Sequence, residues 1–156
     1  MNQLIRSLFS KKWINLQNDL SSLENGEYPG VYLLAYSNED LEGKSVDLKD
    51  VFYVGMSNSH GGVRQRLKRF LYGIENDTSH SAARRFYKEY AESVPFSQMK
   101  GRKTFYSVSM SVRCVVNKET RTPDDLRKMG DVAALEYYVL AHIKDNLNRE
   151  PKLNKK

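Results

Sequence analysis

Two tyrosines, an arginine and a glutamate are the residues of this 156-residue chain whose types and spacing invite chemistry. Tyr32 and Tyr53 lie in two short apolar runs, VYLLAY and VFYVG, and behind the second comes an arginine-rich helical pattern, VRQRLKRFLYGI. At about 100° per residue, Arg66 falls at the edge of the stripe formed by Val63, Leu67, Phe70, Leu71 and Ile74, while Lys68 and Arg69 point to the wetter side. A guanidinium leaning toward the fold is always charged and can grip two phosphate oxygens. Glu136 sits one turn after Val132 and one before Val139 and Leu140, on the apolar side of a helical pattern. A carboxylate there is costly unless a cation or metal meets it. Two readings of Glu136 stand: a ligand to a cation, or a residue that bends out to water or pairs with Arg66 or another base for structure alone. The phenols also have an ordinary reading, since tyrosine suits strands and 10 occur here. A phenol's free pKa near 10 makes its ionisation at neutral pH depend on adjacent positive charge.

The charge distribution points toward phosphate. The chain carries +6 with a pI near 9.3, yet residues 1–60 hold 5 basic and 8 acidic residues, 61–103 hold 10 and 4, and 149–156 hold 4 and 1. A basic patch so placed attracts phosphate backbones and releases counterions on binding. The length and the 40% hydrophobic content suit one core. No apolar run approaches the roughly 18–20 residues of a membrane span, and no signal-peptide pattern opens the chain, so a cytoplasmic protein is expected. Cys114 stands alone, which excludes an intramolecular disulfide and a cysteine-based zinc pair.

The elements that must position these groups follow from periodicity. Leu4, Ile5, Leu8 and Phe9, then Trp13, Leu16, Leu20 and Leu23, recur at helical spacing before Asn25-Gly26, which predicts one or two amphipathic helices covering 1–27. Strands are expected over 31–36 and 51–55, paired antiparallel through a polar, mostly acidic connection at 37–50 that is longer than a tight hairpin requires. A helix from Val63 to Ile74 follows the Gly61-Gly62 turn, and a second over roughly 79–93 places Phe86 inward with Arg84, Arg85 and Lys88 toward solvent. Residues 104–116 alternate Tyr106, Val108, Met110, Val112, Cys114 and Val116 against a largely serine face, which predicts a strand in a sheet covered on one side. Thr122-Pro123-Asp124-Asp125 reads as a helix start, with Gly130 breaking or bending it and a longer helix over 131–147. These elements make one compact α/β domain of the α+β kind.

Gly30-Val31-Tyr32, Tyr53-Val54-Gly55, the arginine of VRQRL, a glutamate on a later helix and the closing Pro151-Lys152-Leu153-Asn154 together resemble the GIY-YIG nuclease superfamily. Val stands for Ile in both triplets, and the likeness covers roughly residues 28–156, after the 1–27 cover. The resemblance implies a small three-stranded antiparallel sheet flanked by helices, and a metal-dependent endonuclease that hydrolyses phosphodiester bonds with one Mg²⁺ or Mn²⁺. It implies Tyr32 as general base or water-positioning group, Tyr53 as a second phenol, Arg66 on the scissile phosphate, Glu136 as the metal ligand and Asn154 ordering the far side of the site. Arg64, Lys68, Arg69, Arg84, Arg85 and Lys88 would form the nucleic-acid surface, with DNA the expected partner, RNA left open, and a monomer or transient dimer as the acting species. Two other readings are an inactive nucleic-acid-binding module on the same fold and a basic protein-interaction domain.

The chain departs from the family pattern near the phenols. Met56 stands where many members carry Lys, and Phe70 where many carry His or Tyr. His80, in an SHSAARR segment that resembles restriction-type members, or one of Lys68 and Arg69, is the substitute helper; a helix-cap or surface histidine is the alternative for His80. The five residues Tyr32, Tyr53, Arg66, Glu136 and Asn154 are expected around one concave, positive pocket. Removing residues 151–156 is expected to abolish cleavage with little loss of folding.

Overall fold

Apolar residues on both faces of one eight-residue stretch make it the centre of the sheet. Gly30–Ser37 (β2) directs Val31, Leu33 and Ala35 to one side and Tyr32 and Leu34 to the other, all buried, as expected of a strand covered on both faces. The structure is a computed structural model that describes residues 1–18, 20–76, 86 and 104–154. Val51–Ser57 (β3) and Thr104–Ser111 (β4) pair antiparallel with the two edges of β2, and the two-residue strand Ile14–Asn15 (β1) adds to β4. The sheet therefore has four strands, in the order β1-β4-β2-β3, rather than three.

The added strand corrects the reading of the first 27 residues. Asn2–Phe9 is a helix (α1) as its spacing predicts, but Trp13 to Leu23 forms β1 and a 3₁₀ turn at Leu20–Ser22. Trp13, Leu16, Leu20 and Leu23 are all buried without a helix, because apolar spacing records which residues reach the core and not the backbone that carries them there. β4 is corrected too. It stops at Ser111 instead of 116, since the Val115 N–H is taken by Asp125 Oδ1 at 2.9 Å, away from the sheet. Its serine face is buried as well, at Ser107 and Ser109. These small residues lie opposite Leu34 and Tyr32 and leave room for those larger neighbours.

Helices α1 and Pro123–Leu147 (α3) pack on the face of Val31, Leu33 and Val108, with Val132, Leu135, Val139 and Ile143 supplied by α3. Helix Gly62–Asn76 (α2) packs on the face of Tyr32 and Leu34 through Val63, Leu67, Phe70 and Ile74. A capping box starts α3: the Thr122 hydroxyl accepts from the Asp125 N–H, and Asp125 accepts from the Thr122 N–H at 2.8 Å. Those backbone donors, first Thr122 and then Val115, hold the Asp125 carboxyl below its ordinary pKa. With that start, α3 runs through Gly130 unbroken; a glycine there costs about 1 kcal/mol, which a 25-residue helix packed on the sheet absorbs.

The 37–50 connection folds back instead of projecting. Trp13 donates to the Lys44 carbonyl and Gly43 to the Trp13 carbonyl, each at 3.0 Å, and Leu41 is buried. The expected helix over 79–93 lies outside the described residues except Phe86, which is buried between Tyr36 and Phe105 at ring distances of 4.9 and 5.0 Å. Among the described residues no helix is long and apolar enough to cross a membrane.

Candidate active site

β3 is an edge strand, so its outer backbone groups would be unpaired. The end of the chain covers them. Leu153 donates its N–H to the Phe52 carbonyl at 2.9 Å, and the Asn154 side-chain amide grips both backbone groups of Val54, donating to the carbonyl and accepting from the N–H at 2.9 Å each. Leu153 itself is fully buried in the core on the α2 side. Asn154 thus anchors the tail beside Tyr53 and Gly55, with both ends of its amide occupied by the strand.

Register places the phenols. Tyr32 lies opposite Gly55 on β3 and Ser109 on β4, while Tyr53 lies two pairs further along, opposite Leu34 and on the same face as Tyr32. A bulge between Leu34 and Ala35 absorbs Phe52, which lets Phe52 and Tyr53 both join the α2-side core. The two tyrosines form a diagonal pair with ring centroids 6.2 Å apart. Gly55 is the cradle for this pair. A Cβ on Gly55 would run into the Tyr32 ring and hydroxyl and come within 2.8 Å of Tyr53. Gly55→Ala is expected to lower stability by about 2 kcal/mol through overpacking and to displace the Tyr32 ring; a thermal melt superimposable on wild type would show that the ring has room elsewhere.

Arg66 and Glu136 act on the same phenol. Burial is the main force on the Tyr32 pKa and pushes it well above its ordinary 10.0; Tyr53 pushes the same way, the Arg66 guanidinium pulls it down, and Glu136 raises it. Arg66 lies beside the phenol without a well-formed hydrogen bond to it: Tyr32 Oη and Arg66 Nε are both buried and unpartnered among the described residues. Tyr32 has no exposed surface and Glu136 is 3% exposed, so Glu136 turns inward and does not bend out to water. Tyr32 and Tyr53 face the side of the sheet covered by α2, which carries Arg66, while Glu136 comes from α3 and its charge reaches Tyr32.

A raised phenol pKa makes the neutral form the one that the fold favours. Its contribution to stability is fully present below about pH 10, the unfolded value, and is lost as pH rises beyond it toward the folded value. Tyr32→Phe should therefore soften the alkaline loss of stability, with a change of about 1 kcal/mol or less at pH 7 because the removed hydroxyl has no partner. Melting curves from about pH 8 to 11 check this; an alkaline slope equal to wild type would argue against the buried phenol.

The basic residues separate. Arg64 donates to the carbonyls of Leu20 at 3.2 Å and Leu23 at 3.0 Å and pairs with Glu27 at 3.6 Å, so its charge braces the 20–27 turn against α2. Lys68 and Arg69 are exposed. His80, Arg84, Arg85 and Lys88 lie outside the described residues. Phe70 is a core residue, edge-on to Phe105 at 5.3 Å, and Met56 packs toward the α3-side core. Ser109 is a site residue that motif reading misses, and Gly55, present in the second triplet, gains its role as cradle only from Tyr32 lying across it. No family model, curated protein or solved structure gives a significant match to this chain.

Proposed function

We propose that this protein is a metal-dependent endonuclease that hydrolyses phosphodiester bonds, with DNA as its first substrate. The observation that supports it most is the convergence of a guanidinium, Arg66, and a buried carboxylate, Glu136, on one phenol held over a glycine. Hydrolysis needs a positioned water, neutralisation of charge on the phosphate and stabilisation of a departing alkoxide. Arg66 answers the second need by gripping phosphate oxygens. The high pKa of Tyr32 suits a neutral phenol that holds and orients the attacking water, accepting one hydrogen bond while donating another, with Tyr53 fixing its ring. Asn154 keeps the edge strand, and with it Gly55, in place.

Glu136 is the residue that would hold the divalent ion. Among the described residues there is no group of three or more His, Cys, Asp or Glu side chains suited to a metal, so the fit is to an ion that keeps several waters and takes one or two carboxylates, as Mg²⁺ does. When bound, such an ion supplies charge stabilisation at the leaving oxygen.

Incubation with supercoiled plasmid and Mg²⁺ or Mn²⁺ is the direct test. Nicking that disappears with EDTA and in Arg66→Ala is the expected result, with about a 10²- to 10³-fold loss in the variant. A second reading, a nucleic-acid-binding module without turnover, is favoured by the full burial of Tyr32 and by the core roles of Phe70 and Met56. DNA binding without cleavage under either metal would decide for it.

A further inference from the structure

Arg149 and Lys152 have no part in the cleavage chemistry above, yet with Lys49, Val51, Phe52 and Glu150 they line a cavity of about 410 Å³. We propose that this cavity is a second phosphate-binding site that seats the backbone of a nucleic-acid strand flanking the point of cleavage. The proposal deepens the nuclease reading and rests on it for the identity of the strand.

Lys49 reaches the cavity from the 3₁₀ turn Leu48–Asp50, just before β3. Its neighbour Asp47 is turned back on the chain, accepting the Lys49 N–H at 3.0 Å as a cap. Arg149 and Lys152 come from the chain after α3, where Asn148 turns it in the left-handed conformation at φ 57°. Leu153 then locks the stretch onto the Phe52 carbonyl. These constraints hold three cations from distant parts of the chain around one depression. The single acid in the lining, Glu150, is already neutralised by Lys144 at 3.1 Å, and Lys49 and Arg149 have no acidic partner within ion-pair distance among the described residues. Three exposed cations around an apolar floor of Val51 and Phe52 favour a dianionic or polyanionic ligand, and the planar Arg149 fork suits phosphate oxygens.

Position relates the cavity to the candidate active site. Both lie on β3, and Phe52 at the cavity precedes Gly55 at the phenols by three residues, about 10 Å of strand. That span matches about three nucleotides at 3.4 Å of rise per nucleotide in one strand. A strand running along the tail-clamped edge of the sheet would reach both.

Fluorescence anisotropy with a labelled DNA duplex in EDTA, across a salt series, tests this without cleavage. The triple variant Lys49→Ala, Arg149→Ala, Lys152→Ala is expected to bind at least tenfold more weakly near 0.1 M salt. Its log–log salt slope should be shallower by about 2 to 3, at roughly 0.9 for each phosphate that the protein no longer neutralises. All three side chains are exposed, so its melting temperature should match wild type; Lys49→Glu alone is the second variant and should weaken binding in the same direction. An unchanged affinity and slope, or a wild-type protein that does not bind DNA, would overturn the proposal. So would inorganic phosphate that competes at low millimolar concentration and matched ionic strength while the triple variant keeps the wild-type slope, because that marks a small-anion site. Absence of plasmid cleavage would count against the nuclease reading and leave these binding measurements decisive for the cavity.

Discussion

Glu136→Gln should abolish metal-dependent cleavage, a loss of about 10³-fold in rate, while the protein stays folded. Glutamine keeps the shape of a side chain that is almost fully buried between Val132 and Val139 on α3. What it removes is the negative charge, and with it the affinity for a hard divalent cation. If Glu136 served only to balance Arg66 within the fold, the same substitution would leave the guanidinium less well compensated. Stability would then fall by about 1–3 kcal/mol, and any cleavage would continue. Nicking rates and melting temperatures measured side by side separate the two outcomes, and cleavage within tenfold of wild type would sink the role assigned to Glu136.

Deleting residues 151–156 should unfold a large share of the molecules, contrary to the expectation drawn from sequence that such a truncation would fold. Leu153 is wholly buried in the α2-side core, and removing a buried leucine costs about 2–5 kcal/mol. The deletion also strips three hydrogen bonds from β3, at Phe52 and Val54, and exposes an edge strand able to pair with other chains. A loss of about 4 kcal/mol is a major fraction of the 5–15 kcal/mol that holds a typical domain together. Urea denaturation should show the midpoint falling or the folded baseline vanishing. Asn154→Ala removes only the amide clamp and should cost about 1–2 kcal/mol, so it tests the site with the core intact. A truncated protein with a wild-type midpoint would refute the docked tail.

Local chemistry made much of this protein readable before any fold was known. The strands at β2 and β3, the amphipathic α2, the Thr122–Asp125 helix start and the place of Glu136 on the apolar side of its helix all follow from residues within about four positions of one another, the range over which helical caps and strand alternation operate; that its carboxylate stays inside was decided by the fold. The two triplets and the later Arg and Glu were legible for the same reason. Sequence also separated exposed Lys68 and Arg69 from Arg66, because helical phase alone decides which side of α2 they occupy.

What only the tertiary structure decided are the relations between distant segments. The serines of β4 look like a wet face until β2 returns to place Leu34 and Tyr32 opposite them; the Ser107 hydroxyl then donates to the Leu33 carbonyl across a separation of 74 residues. Arg64 and Arg66 are identical in type and two positions apart, and only the carbonyls of Leu20 and Leu23 make the first a brace. Asn154 follows Leu153 near the end of the chain, and only the fold shows that its amide binds Val54, 100 residues away. Lys49 and Arg149 line one cavity that no window of the chain contains. Periodicity and caps are set by neighbours in the chain, whereas pairing, burial and charge balance are set by whatever the fold brings alongside. Gly55 carries both: its place after Tyr53-Val54 is written in the sequence, and its need to stay without a side chain exists only because Tyr32 lies across it.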